Sequence, residues 1–152
     1  MYNIILHLHS SLRWIVLLLL VMVFYRSITA DNRPFTDQDK KFGLFTMIVC
    51  DIMLLIGLYQ WIAGTWGLNS IKTNGMEQVM HNPVLRFYAI EHTTGMLIAI
   101  IMVHIGRAYT KKNIPDSTKH KRAALFFGLA LLIVLVSLPW PFRQAGAGRH
   151  WF

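Results

Sequence analysis

The sequence predicts an all-α membrane protein, a single domain over residues 1–152 in which four transmembrane helices form an up-down-up-down bundle. Hydrophobic residues make up 55% of the chain and charged residues only 14%, whereas soluble domains carry about 25% charged residues. The mean hydropathy is +0.44. Four apolar runs each approach the roughly 20 residues that a helix needs to cross a bilayer: Ile4–Phe24, Phe42–Ala63, Tyr88–Ala108 and Ala123–Trp140. Runs of this length are too long for the strands of a membrane barrel.

The first two helices are predicted at about residues 4–24 and 42–63. No basic segment precedes the first run, and the run is longer than the apolar part of a signal peptide, so we expect it to remain as a membrane span. The second helix has a start signal in "PFTDQD", where Thr36 can cap the helix and Asp39 follows three residues later.

The third helix is predicted at about residues 84–109. In "HNPVLRF", Asn82 is a typical cap and Pro83 suits the first helical position, because that position needs no backbone N–H. The long connection before it, residues 64–82, contains the turn signal "TNG".

The fourth helix is predicted at about residues 118–140. Its start signal is Asp116 or Ser117, and the "PWPF" segment ends it at Pro139. No internal repeat or second domain is visible.

Positive charge predicts the orientation of the helices. Ten of the fifteen Lys and Arg residues lie in the two connections that the bundle places on one side: Arg26, Arg33, Lys40, Lys41, Arg107, Lys111, Lys112, Lys119, Lys121 and Arg122. By the positive-inside rule these connections are cytoplasmic and both termini lie outside. Because this topology explains the net charge of +8, no nucleic-acid partner is needed.

The chain has seven histidines: His7, His9, His81, His92, His104, His120 and His150. His7, His9 and His92 are predicted near the outer margin, on the first and third helices. His104 and His120 are predicted near the inner margin, on the third and fourth helices. Two bis-histidine haems require two levels in the bundle, each with histidines from two different helices, and this sequence offers both levels. The alternative is a set of polar groups that only hydrogen-bond between helices, and we assign no role to His81 and His150.

The spacing of the histidines on the third helix is compatible with two stacked haems. His92 and His104 are twelve residues apart, a rise of roughly 18 Å and a rotation of roughly 120°. They therefore point in different directions, which suits His92 facing the first helix and His104 facing the fourth. Gly95 and Gly106 would leave room for a porphyrin beside each histidine. The lone Cys50 forms no C-x-x-C-H motif, so a haem here would not be attached covalently.

Several other ionisable residues lie near these levels. Arg13, Arg86, Arg107 and Lys121 are candidates for binding haem propionates, with interfacial anchoring as the alternative. Glu91 adjoins His92 but points about 100° away from it, so we consider it a proton-transfer group at an outer quinol pocket, or else a solvated side chain. Asp51, in the middle of the second helix, is either a proton relay or a bundle-facing residue hydrogen-bonded to a neighbour.

Four segments together resemble a family of small bacterial four-helix membrane b-type cytochromes: "LHSSLRW" (8–14), "RFYAIEH" (86–92), "HIGR" (104–107) and "KHKRAALFFGLALLIVLVSLPWP" (119–141). The resemblance implies non-covalent haem b, of which the two histidine levels predict two copies, and electron transfer in a respiratory membrane, here the bacterial inner membrane. It favours His9 over His7 as a ligand and points to His92, His104 and His120 as the others. The architecture is also similar to other dihaem four-helix cytochromes, such as superoxide oxidase.

The sequence thus predicts a dihaem transmembrane cytochrome with His9 and His92 on the outer haem and His104 and His120 on the inner one. We expect it to act as an electron-transfer protein or a quinol- or superoxide-linked oxidoreductase, with lipid, quinone or a larger respiratory complex as partners. Two alternatives remain. The segment "MEQVMH" offers Met76, Met80 and His81 as soft ligands for copper on the outer side. The other alternative is a structural or assembly subunit without a cofactor.

Overall fold

The structure, a computed structural model, describes residues 2–147, and all of the secondary structure in that range is helical. His150 lies outside the described residues. Residues 2–147 form five helices: α1 (Tyr2–Ile28), α2 (Asp37–Ala63), α3 (Leu68–His81), α4 (Pro83–Thr110) and α5 (Asp116–Ser137). Among them α1, α2, α4 and α5 are long and apolar enough to cross a membrane. The predicted all-helical fold with four apolar spans is therefore confirmed.

The predicted helix starts are confirmed at α2 and α4. Thr36 accepts a hydrogen bond from the backbone N–H of Asp39, and the Asp39 carboxylate accepts one from the N–H of Thr36, which completes a capping box. At α4 the Asn82 side chain accepts from the N–H groups of Val84 and Leu85. Both caps satisfy backbone donors that have no partner within the helix.

Helix α5 ends at Ser137, three residues before the predicted end at residue 140. Leu138 is extended, with φ −76° and ψ 143°. The reason is steric: the ring of Pro139 disfavours a helical conformation for the residue before it.

The connection between α2 and α4 is itself helical over most of its length. Helix α3 covers Leu68–His81 and is interrupted at Gly75, which has φ +78° and ψ 156°. Glycine adopts this left-handed backbone without a steric penalty, so the predicted turn "TNG" appears as a break inside a helix.

The four long helices form a ring in which α1 packs on α2 and α5, and α4 packs on the same two helices. The consecutive helices α1 and α2 run antiparallel, so the end of each lies beside the start of the other. Gln60 near the end of α2 donates to the carbonyl of Ile5 near the start of α1, whereas Arg26 near the end of α1 binds Asp39 at the start of α2. We call the end of the ring that holds Ile5 and Gln60 the outer end, following the predicted orientation.

Apolar side chains occupy both the inside and the outside of this ring. Leu20 and Phe127 are fully buried in the centre, while Leu55, Ile101 and Leu132 are more than half exposed on the surface. An apolar exterior on helices of this length is the arrangement expected where lipid is the solvent.

At the opposite end of the ring, which we call the inner end, Asp39 links the α1–α2 connection to the start of α2. Asp39 precedes the apolar run, which begins at Phe42. Its side chain is 5% exposed and binds Arg26 at 2.9 Å and Arg33 at 2.6 Å. Burial alone would raise the pKa of the Asp39 carboxyl, but hydrogen bonds from Arg33, Thr36 and Arg26 outweigh burial and hold this pKa well below its usual range.

Candidate functional site

A cavity of about 580 Å³ lies between the four long helices toward the outer end. His9 of α1 and His92 of α4 both line it, and its wall extends deeper into the bundle as far as Cys50 and Val103. This volume falls within the roughly 300–1,000 Å³ that is typical of ligand and cofactor sites. The structure thus brings two histidines that were assigned to one level into one cavity.

The spacing of these two imidazoles suits two axial ligands of one metal. Their ring centres are 6.4 Å apart and their planes make an angle of 68°. Metal–imidazole bonds are about 2 Å long, and each nitrogen lies about 1 Å from its ring centre, so two rings on opposite sides of one metal have centres about 6 Å apart. The observed separation matches this value.

His92 is held in a defined orientation by the end of α5. Its Nδ1 lies 2.8 Å from the backbone carbonyl of Ser137. Because a carbonyl only accepts hydrogen bonds, Nδ1 must carry the proton, which leaves the Nε2 lone pair available for a metal.

The "SLPWPF" segment explains why this carbonyl is available. In a continuing helix, the carbonyls of residues 135 and 137 would accept from the N–H groups of residues 139 and 141. Both of those residues are proline and have no N–H. The two carbonyls instead accept from side chains: Trp140 Nε1 donates to Leu135 at 2.7 Å, and His92 Nδ1 to Ser137.

A π-helical turn, Phe87–Glu91, immediately precedes His92. Such a turn inserts one residue into the helical repeat and is often found at functional sites. The rings of Phe87 and Tyr88 pack against His92, with centres 5.8 and 6.5 Å away. Sequence analysis missed this turn, although it coincides with the quoted segment "RFYAIEH".

His9 and its neighbour His7 both line the cavity, but they differ in burial. His7 is exposed, whereas His9 is partly buried. His9 packs beside Gly57 of α2, where an added Cβ would lie 3.4 Å from Cε1 of the ring. Its Nδ1 is buried without a hydrogen-bond partner in the protein. Few buried polar atoms in proteins lack a partner, but both ring nitrogens of His120 do so as well, so the case for His9 as a cofactor ligand rests on its place in the cavity wall.

Among the charged candidates near the outer end, only Arg13 lines the cavity, and its guanidinium lies 5.4 Å from the centre of the Trp14 ring. Arg86 donates to Glu91 at 2.7 Å and to the carbonyl of Met80 at 2.8 Å. The Glu91 side chain is 49% exposed, and neither Glu91 nor Arg86 belongs to the cavity wall. Arg13 is therefore the candidate with access to a cofactor.

The inner pair of histidines is not brought together. His104 faces outward and binds Asp51 of α2, with Nε2 and Oδ1 2.8 Å apart. His120 is 3% exposed and packs against Phe35, and neither of its ring nitrogens has a hydrogen-bond partner in the protein. A second cavity at this end has a volume of only about 10 Å³ and is lined by neither histidine. The roughly 120° between His92 and His104 thus turns His104 away from the bundle.

The remaining inner candidates contact protein or solvent. Arg107 is buried, and its Nη1 donates to Thr110, while Lys121 is exposed. Gly95 and Gly106 make room for α5 rather than for a cofactor: an added Cβ on Gly95 would collide with Ser137, and one on Gly106 would lie 2.9 Å from the ring of Phe127.

The candidate copper ligands lie on the outer surface. Met76, Met80 and His81 are all exposed on α3. Within residues 2–147, no group of three or more His, Cys, Asp or Glu side chains is arranged to hold a metal ion. A haem would need only two side-chain ligands from the protein.

Comparisons of this chain with protein-family models, with curated proteins and with solved structures returned no match.

Proposed function

We propose that this protein is a membrane b-type cytochrome that binds haem b between His9 and His92 and transfers electrons in the bacterial inner membrane. The observation that carries the proposal is the pair of imidazoles across one cavity, with ring centres 6.4 Å apart. When bound, haem b would supply a one-electron carrier that cycles between ferric and ferrous iron.

The chain's own residues would bind and orient the cofactor. His92 would ligate through Nε2, because Nδ1 donates to Ser137, and a hydrogen bond of this kind makes an imidazole a more basic ligand. Arg13 would bind a propionate, since it is the only one of the four predicted cations in the cavity wall. The apolar lining would exclude water from the macrocycle and so favour a low-dielectric site.

The proposed topology places both termini and the cavity on the outer, periplasmic side of an up-down-up-down bundle. The four apolar helices support a multi-pass membrane protein, and the basic connections α1–α2 and α4–α5 support the orientation. The position of the cavity near the outer face suits an electron donor or acceptor on that side, such as a quinol, superoxide or a subunit of a larger respiratory complex. Membrane lipid is the surrounding partner in each case.

A spectrum of the purified protein tests the proposal. Reduced-minus-oxidised bands of a low-spin haem are expected, and His9→Ala and His92→Ala should each abolish them. His7→Ala is the matched control, because His7 lies two residues away on the same cavity wall but is exposed, and it should leave the spectrum nearly unchanged. A colourless wild-type protein would refute the haem, and copper binding by that colourless protein would support the copper alternative.

Counting haems per chain tests the inner site predicted from the sequence. The placement of His104 and His120 supports one haem per chain, bound at the outer level. If a pyridine haemochrome assay finds two haems per chain, His104 would have to turn inward, away from Asp51.

A further inference from the structure

Two basic side chains gather around one aromatic ring at the inner end of the bundle. The ammonium nitrogen of Lys112, in the α4–α5 connection, lies 4.4 Å from the centre of the Tyr109 ring, and the guanidinium carbon of Arg122 on α5 lies 5.1 Å from the same centre. Tyr109 is itself stacked on Phe126 of α5, with ring centres 5.5 Å apart and an angle of 10° between the planes. The end of α4 and the early turns of α5 therefore form an aromatic base that holds two cations.

No carboxylate of the described chain neutralises these two cations. Within residues 2–147, no Asp or Glu side chain makes an ion pair with Lys112 or Arg122. Asp116, at the start of α5, binds Lys119 instead. Two like charges held beside one ring repel each other, and both side chains are exposed. An anion from outside the chain can therefore reach both cations and relieve this repulsion.

The two cations lie where the apolar exterior of the bundle meets its basic connection. Tyr109 directly follows the third apolar run, and Arg122 directly precedes the fourth. On α5, Leu125 and Leu129 follow Arg122 by three and seven residues, so they share its face of the helix, and they are 49% and 39% exposed. An anion bound here has an exposed apolar track beside it, which suits a molecule with an acidic head and a hydrocarbon tail.

We propose that Lys112 and Arg122, positioned by the Tyr109 ring, bind the phosphate of an anionic phospholipid in the membrane leaflet at the inner end. The unesterified oxygens of a phosphodiester can accept hydrogen bonds from both cations. Basic pockets between membrane helices on the cytoplasmic side bind lipid headgroups of this kind, and an acyl chain of the same lipid would pack along Leu125 and Leu129. The site requires that the four long helices span a membrane, but it does not depend on the haem.

A lipid titration of the purified protein, followed by native mass spectrometry, tests this site with dioleoylphosphatidylglycerol as the probe. Lys112→Gln/Arg122→Gln should lower the affinity for this lipid about tenfold or more, because each basic residue near a membrane surface contributes roughly a fivefold attraction. Lys111→Gln/Lys121→Gln is the matched control. It removes the same charge from exposed neighbours that are not the cations over the Tyr109 ring, and it should keep the affinity within about twofold of wild type.

Two further probes identify the part of the lipid that is recognised. Dioleoylphosphatidylcholine has the same chains but no net charge, so it should bind the wild-type protein more weakly and should not distinguish it from Lys112→Gln/Arg122→Gln. Glycerol 3-phosphate has the acidic head without the chains, and it should not displace the anionic lipid at an equal concentration. Equal losses of affinity in the two double variants, equal binding of the two lipids, or displacement by glycerol 3-phosphate would each overturn the proposal.

Discussion

The bond from His92 to the Ser137 carbonyl gives a sharp test of how the cavity is built. The variant Pro139→Ala/Pro141→Ala restores two backbone N–H groups and removes the steric reason for α5 to end at Ser137. We expect α5 to extend, and the new N–H of residue 141 to compete with His92 for the Ser137 carbonyl. The imidazole would then lose its fixed tautomer and part of its basicity.

The size of the effect follows from the role of this hydrogen bond. Loss of such a partner from a metal-bound histidine typically lowers metal affinity about 10- to 100-fold, or about 1.4 to 2.7 kcal/mol. A less basic imidazole stabilises ferric iron less, so the midpoint potential should rise. The variant should lose more affinity for ferric haem than for ferrous haem. Each tenfold difference between these two losses raises the midpoint potential by about 59 mV.

The assay combines haem transfer to an excess of a soluble haem scavenger with a potentiometric titration. Trp140→Phe is the control, because it removes the bond to the Leu135 carbonyl in the same turn and leaves His92 bound to Ser137. Circular dichroism establishes whether each variant is folded, and Pro141→Ala alone gives a second measurement. Wild-type affinity and potential in a folded double variant with a longer α5 would refute the reasoning.

Three further predictions follow from individual side chains. Asp39→Asn should cost about 2 to 3 kcal/mol in detergent unfolding, because it weakens several hydrogen bonds to a buried carboxylate. Since the folded-state pKa of Asp39 is depressed, wild-type stability should fall as the pH drops below the ordinary value of 3.8, whereas the variant should lack this contribution. His104→Ala and His120→Ala should each retain the haem spectrum, and loss of haem in either would restore the inner site. Glu91→Gln breaks the ion pair with Arg86. If Glu91 accepts a proton, this variant should slow reduction of the protein by a quinol analogue about tenfold or more. Unchanged kinetics would assign Glu91 to the solvated surface.

The sequence was sufficient to predict the helices because their signals are local. Run length sets each span, and Thr36 and Asn82 cap α2 and α4 as predicted. The end of α5 was misjudged by three residues, since the apolar run continues past Ser137 while the restriction on Leu138 comes from the proline that follows.

The candidate site was predicted less completely, because depth in the membrane can be read from the sequence but direction around a helix cannot. Depth matched His7 and His9 with His92, the family resemblance favoured His9, and the structure brings His9 and His92 together. His104 and His120 were matched in the same way, but they face different surroundings. Asp51 is hydrogen-bonded to a neighbour, as one of its two predicted roles requires, but its side chain is 41% exposed rather than facing the bundle, and no spacing along the chain could identify its partner on α4.

The difference between the two ends of the bundle has a simple physical origin. At the inner end, the fully buried ring of Phe127 fills the space that Gly43 and Gly106 leave between the helices. At the outer end, Gly57 leaves similar space, but the imidazole of His9 lies beside it, and within residues 2–147 no large aromatic ring fills the centre. The space left there amounts to a cavity of about 580 Å³. This cavity of cofactor size, with two histidines at the spacing of ligands to one metal, supports the proposed haem at the outer end.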